Sequence, residues 1–166
     1  MATKVRLLHE RLAAVVSQLR HGEMVYVADA GSGTSAASLV PLSPHVEIID
    51  VAITPGLPTV PDLLNVLWEV GDFEAAIVTE DMAAANPEGH SVVRGLAGEA
   101  NVHEIRYLPE FYDLRDRVKV FVQTGDYSVH GNVVLVAGYP SPPIPLTWLT
   151  SATWLQDLHS EQPADD

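Results

Sequence analysis

Val5, Leu8, Leu12, Val15, Val16 and Leu19 recur three to four positions apart, the spacing that lays one apolar stripe along an α-helix. That stripe predicts a helix ending before His21-Gly22. The period then changes. "MVYVADA" is a short continuous apolar run of the kind that forms a buried strand, and "VEIIDVAI", beyond the breakers Pro41 and Pro44, predicts a second. "TPGLP" interrupts the chain, and Leu63, Leu64, Leu67 and Trp68 predict a helix over 60–70. "FEAAIVTE" reads as a third strand, "HSVVRGLAGEA" as a helix, and "VHEIRYL" as a fourth strand or its approach. "PEFYDLRDRVKVFVQTG" predicts a short helix leading into more β structure, and "GNVVLVAGY" a last buried strand. Strands alternating with helices are the pattern of an α/β domain with a largely parallel central sheet flanked by helices.

After Tyr139 the pattern breaks. "PSPPIP" cannot propagate a helix, which divides the chain into a domain over 1–139 and a Pro-rich linker with a C-terminal extension over 140–166. Within the extension, Leu146, Leu149, Trp154, Leu155 and Leu158 predict a short amphipathic helix that docks on its own core or on a neighbouring subunit.

Composition narrows the function. The chain has 166 residues, 47% of them hydrophobic, enough for one sizeable core and short for two. Its net charge is -13, with 9 basic residues and no basic cluster, so the phosphate-neutralising surface that nucleic-acid binding needs is missing. The absence of cysteine rules out disulfides, a thiolate nucleophile and cysteine-based zinc sites. "MATKVRLLHERL" lacks the apolar core of a signal peptide. No segment approaches the roughly 18 to 20 apolar residues that span a bilayer, and a cytoplasmic location is expected.

The densest cluster of chemistry is "HGEMVYVADAGSGT", residues 21–34. "GSGTSA" satisfies G-x-G-x-x-A directly after a strand, and Asp50 stands where a ribose-binding acid would. The geometry argues against a dinucleotide site, because Gly33 to Pro41 leaves barely two helical turns where a parallel crossover needs a dozen or more residues. The other reading pairs His21 with Asp29. A strand rises about 3.3 Å per residue, so the two cannot touch within one extended chain, and a shared site needs a bend or two subunits. The plainer alternative has His21 capping the preceding helix and Asp29 starting a turn.

Longer stretches add a resemblance. "GEMVYVADAG" with His21 before it, "IDVAITPGLP", "EAAIVTED" followed by "NPEGH", "EIRYLPEFY" and "TGDYSVHGNVVLVAG" together resemble the D-ribose pyranase and L-fucose mutarotase family. The resemblance implies a cofactor-free isomerase that interconverts sugar anomers or ring forms by opening and reclosing a hemiacetal. It also implies a ring-like homo-oligomer, commonly a decamer, with sites at subunit junctions. In such chemistry a proton is given to the ring oxygen while one leaves the anomeric hydroxyl. A histidine suits that exchange, and a carboxylate suits the sugar hydroxyls.

By this resemblance His21 matches the family's proton donor and Asp29 its substrate-binding aspartate. The Tyr-small-Asn triplet near the last strand is His130-Gly131-Asn132 here. Asn132 and Gly131 are carried over as substrate-binding, and His130 replaces the tyrosine as binder or second proton-transfer group. A basic family residue falls near Leu108 or Pro109, where this chain has none. Glu110 is the nearest polar candidate, and the exchange points to an amino sugar or another cationic ligand. "FYDLRDRV" resembles the fucose branch and "DAG" the ribose branch, so neither sugar is assigned.

The other features have bland readings. His9, His45 and His159 read as solvated residues, and His90, in the loop "NPEGH", is a weaker site candidate. A metal centre from His21, Asp29 and His130 lacks a ligand-spacing motif. Gly31 and Gly33 serve backbone freedom or a phosphate-binding nest. Trp68 and Trp154 fit packing. Two rivals remain beside the isomerase: the same scaffold recruited to epimerisation or cyclisation of a non-sugar metabolite, and a non-catalytic sugar-binding or assembly protein.

Overall fold

Six strands, β1 (Met24–Ala28), β2 (Glu47–Asp50), β3 (Phe73–Thr79), β4 (Val102–Ile105), β5 (Val120–Gln123) and β6 (Val133–Ala137), join in one sheet of order β2-β5-β1-β6-β3-β4. The computed structural model describes residues 3–150. β1 pairs parallel with β5, β2 with β5, and β3 with β4. Only β6 runs against its neighbours, β1 and β3. The segment from β5 to β6 spans residues 124–132, too short for the crossover a parallel return requires. β2 is separated from β1 by β5, and no helix lies between β1 and β2, so the dinucleotide arrangement is absent.

All five residues of β1 and of β6 are buried, as expected for strands covered on both faces. Val25, Val27, Val120, Val122, Val133 and Leu135 face one layer, built from α1 (Glu10–Ser17), α2 (Val60–Val70), the short α3 (Met82–Ala85) and α4 (Pro87–Ala97). Tyr26, Phe121, Val134 and Val136 face the other. That second layer has little regular helix. It comprises a wide turn at Tyr107–Phe111, the single-turn α5 (Tyr112–Arg115) and α6 (Leu146–Thr150). Phe111, Leu114 and Leu149 supply its buried side chains.

α2 begins and ends where the apolar period places it, with Thr59 and Asp62 forming a reciprocal cap at its start. α1 is shorter than its stripe. The His9 imidazole accepts a hydrogen bond from the Leu12 N–H at 3.2 Å, so the helix starts at Glu10 and Val5 and Leu8 stay exposed. "NPEGH" is not a loop: Asn86 caps α4, its side chain accepting from the Gly89 N–H at 3.0 Å, and Pro87 occupies the first helical position. His90 therefore lies on a helix, where it meets Glu104 at 3.0 Å. Beyond the prolines, Ile144, Leu146 and Leu149 pack on the second core layer. Trp154, Leu155, Leu158 and His159 lie outside the described residues. Among the described residues no helix is long and apolar enough to cross a membrane.

Candidate functional site

The carboxyl ends of β1, β3 and β5 and the start of β6 meet at one edge of the sheet. In open α/β sheets this is where ligands bind. A cavity of about 530 Å³ opens there, with Asp29, Asn132, His130, Tyr107, Tyr112 and Arg115 in its wall, a size suited to one small molecule.

Asp29 follows β1 directly and is held by its neighbours. Its Oδ1 accepts from the Gly31 N–H at 3.0 Å and the Ser32 hydroxyl at 3.2 Å, and its Oδ2 from the Gly131 N–H at 3.2 Å. Burial pushes its carboxyl above the ordinary value, and these three donors oppose that shift without reversing it. The Asp29 main chain is fixed as well: its N–H donates to Asn132 Oδ1 at 2.7 Å, and its carbonyl accepts from Gln123 Nε2 at 2.6 Å. Asn132 Oδ1 also accepts from Ser32 Oγ at 3.1 Å. With that oxygen occupied, the amide NH2 of Asn132 is the end left to a ligand.

His130 and Gly131 owe their places to backbone geometry. His130 has φ 48, the left-handed region that a non-glycine residue enters at a cost. Its Nδ1 lies 3.5 Å from Thr79 Oγ1, and its ring stands edge-on to Tyr107 at 5.3 Å. A Cβ on Gly131 would lie 3.1 Å from Ser128 Oγ and 3.4 Å from the Asp29 Cβ, so the glycine permits the approach that delivers its N–H to Asp29. Gly131 thus acts on the site through that carboxylate.

The aromatic wall is the part to which neither periodicity nor motif assigned a site role. The Tyr107 and Tyr112 hydroxyls are 3.0 Å apart. This contact, with burial, raises the Tyr107 phenol to about 12. Tyr26, buried beneath them and stacked on Phe121 at 4.6 Å, is pushed well above the ordinary phenol range by loss of solvent. Tyr26 and Tyr107 therefore keep their protons at neutral pH. Asp126 also borders the cavity, but its Oδ2 accepts from the Val60 N–H at 2.7 Å and its Oδ1 from the Ser128 N–H at 2.7 Å and the Ser128 hydroxyl.

Two candidates lie elsewhere. Glu110 is bound to Arg106, at 2.8 Å to Nη2 and 3.0 Å to the backbone N–H, which lowers its carboxyl below the ordinary value, and it does not border the cavity. His21 stands before the amino end of β1, the far edge of the sheet from Asp29. There its Nε2 meets Glu74 Oε1 at 2.5 Å, its Nδ1 is 3.5 Å from Ser141 Oγ, and its ring is 5.9 Å from Tyr139. His21 and Glu74 are both largely shielded, with side chains 21% and 12% exposed. Among the described residues no three His, Asp or Glu side chains converge on a metal-sized site.

A cavity of fixed hydroxyl-binding groups at the carboxyl ends of parallel strands marks an α/β protein that binds a polar small molecule. The chain belongs to the RbsD / FucU transport protein family, which it matches over residues 2–140. It is 31% identical over 137 residues to the D-ribose pyranase of Pseudomonas entomophila (strain L48), covering 81% of this chain and 96% of that one. Its fold is similar to that of Bacillus subtilis RbsD complexed with D-ribose, with a TM-score of 0.72 at 28% identity, over 84% of this chain and all of the other. The fucose mutarotase of Streptococcus pneumoniae, solved with L-fucose, shares the fold at a TM-score of 0.62 and 17% identity, over 81% of this chain.

Proposed function

We propose that this protein is a cofactor-free isomerase that interconverts the anomers or ring forms of a monosaccharide. The observation that carries this reading is the cradle around Asp29 and Asn132, a buried carboxylate and an amide rigidly aimed into a cavity of monosaccharide size, in a chain whose family includes D-ribose pyranase. Asp29 accepts hydrogen bonds from sugar hydroxyls and the Asn132 NH2 donates to one. Rigidity matters here, because a pre-formed cradle holds the ring oxygen and the anomeric hydroxyl within reach of a proton carrier.

His21 is that carrier. With Nε2 set against Glu74 and Nδ1 facing only the Ser141 hydroxyl at 3.5 Å, Nδ1 is the nitrogen that exchanges a proton with the sugar, giving it to the ring oxygen as the anomeric hydroxyl loses one. His130, edge-on to Tyr107 in the cavity wall, is the second group able to take or give that proton.

Since β1 holds His21 and Asp29 apart, the His21 that serves a given cavity comes from a neighbouring subunit. Tyr127 and Val129, 73% and 66% exposed at the rim of the Asp29 cavity, are apolar surface suited to that contact. A ring-like homo-oligomer, a decamer by family expectation, working in the cytoplasm, completes the reading.

The test is NMR saturation transfer between anomers and ring forms for ribose, fucose, glucose and galactose, with wild type and His21→Ala. Selective acceleration that the variant lacks supports the reading, and an unchanged rate in His21→Ala refutes it.

A further inference from the structure

The cavity holds a cation that no carboxylate among the described residues pairs with. Arg115, the last residue of α5, is 4% exposed and borders the same cavity as Asp29. Its Nη2 donates to the carbonyls of Gly33 at 3.1 Å and Val40 at 3.3 Å, whereas its Nε is buried without a partner. The rings of Tyr112 and Phe121 lie 5.0 and 5.6 Å from the guanidinium carbon. Among the described residues no carboxylate oxygen comes within 4.0 Å of it.

Neither acid of the cavity forms an ion pair with Arg115. Asp126 accepts from Val60 and Ser128, and Asp29 from Gly31, Ser32 and Gly131, which leaves part of its acceptor capacity to a ligand hydroxyl. Ions withdrawn from water are ordinarily paired, because desolvation without a counter-charge is strongly unfavourable. Two neutral carbonyls and two ring faces offset part of that cost and leave the charge itself unmatched.

Arg115 also ends a continuous wall. Tyr112 lies against it, the Tyr112 hydroxyl meets that of Tyr107, and Tyr107 meets the His130 ring. That side of the cavity offers a guanidinium, two phenols and an imidazole, with Asp29 and Asp126 elsewhere in the lining.

We propose that the cavity takes a monosaccharide bearing a carboxylate, a sugar acid of the hexuronate type, with Arg115 receiving the carboxylate while Asp29 and Asn132 hold hydroxyls. With Nη2 donating to two carbonyls and Nε buried, Nη1 is the donor left to a ligand carboxylate, a charge-assisted hydrogen bond. A phosphate shares the anionic chemistry but brings more charge than one fixed cation matches. This inference rests on the sugar-isomerase reading and names its substrate class. It also turns the amino-sugar expectation around: the cation missing near Leu108 is supplied seven residues later, and an ammonium group would be set beside Arg115.

The experiment compares anomer exchange by saturation transfer for D-galacturonate and D-glucuronate with that for D-galactose, D-glucose, D-glucose 6-phosphate and D-galactosamine. It uses the full chain as wild type, Arg115→Met and Arg115→Lys, with oligomer size checked for each. Wild type is expected to accelerate uronates at least about tenfold more than their neutral counterparts. That ratio should collapse in Arg115→Met and survive in part in Arg115→Lys. If Arg115→Met does not fold, the wild-type ratio and Arg115→Lys decide. Neutral sugars exchanged as fast as uronates, a preference for the 6-phosphate or the amino sugar, or a loss in Arg115→Met that leaves the ratio intact would each overturn the assignment. Acceleration of no sugar by wild type would instead overturn the isomerase reading beneath it.

Discussion

At the carboxyl end of β1, Asp29 is locked by main-chain donors from its own turn and from the segment before β6, with Asn132 bonded to its backbone. At the amino end, His21 rests on one short contact with Glu74 and a longer one with Ser141, a residue just beyond the family match. On the proposed function the first end is the receptor and the second the shielded proton carrier. One chain then holds two half-sites, separated by the strand that builds both, and recognition and proton transfer should be separable by mutation.

The largest effect should come from the carrier. His21→Ala is expected to slow sugar exchange by about 10²- to 10⁴-fold while leaving the dissociation constant, measured by calorimetric titration, nearly unchanged. A comparable loss of affinity would break the division between the two ends.

Asp29→Asn should do the reverse and raise the dissociation constant at least about tenfold, the cost of losing a hydrogen bond to a charged group. The same change carries a pH signature. Burial raises the Asp29 carboxyl above its ordinary 3.8, so the ionised form is the unfavourable one in the fold. Wild-type stability due to this group is greatest at low pH and falls as pH rises from 3.8 through the raised value. The stability of Asp29→Asn relative to wild type should therefore be most favourable above the raised value, decline as pH falls from there towards 3.8, and level off below it. Denaturant titrations at several pH values check this.

A smaller effect is expected from Glu74→Gln, which keeps a polar contact to His21 and removes the charge. Exchange should slow by roughly three- to tenfold at unchanged affinity, with Glu74→Asp recovering part of the rate. A chain ended after residue 140 loses Leu149 from the second core layer and should be less stable by about 1.5 to 3 kcal/mol in urea melts. Affinity at the Asp29 cavity should be retained.

How much of this was legible depended on distance along the chain. β1, β6 and α2 were readable because their burial follows directly from uninterrupted apolar runs or a clean 3.6 period. The start of α1 was not, because a histidine cap leaves no trace in the apolar period. The start of α4 was written in Asn86-Pro87 as a cap followed by a helix-opening proline, yet those residues resemble a loop when taken as a motif. The antiparallel course of β6 was implicit in the short link that precedes it.

The site divides in the same way. Asp29 and Asn132 stood out as residue types in matching motifs, although 103 positions separate them and only the sheet brings them together. Tyr107, Tyr112 and Arg115 lie in the overlapping stretches "EIRYLPEFY" and "FYDLRDRV", but nothing in their spacing distinguishes a cavity wall from a surface turn. Placing Arg115 requires knowing that α5 packs against Tyr26 and Phe121. The separation of His21 from Asp29, by contrast, was dictated by the rise of an extended strand and is what the fold displays.

The central claim is that each working site joins His21 of one subunit to Asp29 of another. The direct measurement is the sugar exchange rate of oligomers assembled from His21→Ala and Asp29→Asn chains mixed in equal amounts, with mixed assembly verified by native mass spectrometry. If sites are shared between subunits, random pairing leaves both residues intact at about one junction in four, and exchange should return to roughly a quarter of the wild-type rate. Mixed oligomers no more active than either variant alone would contradict the account.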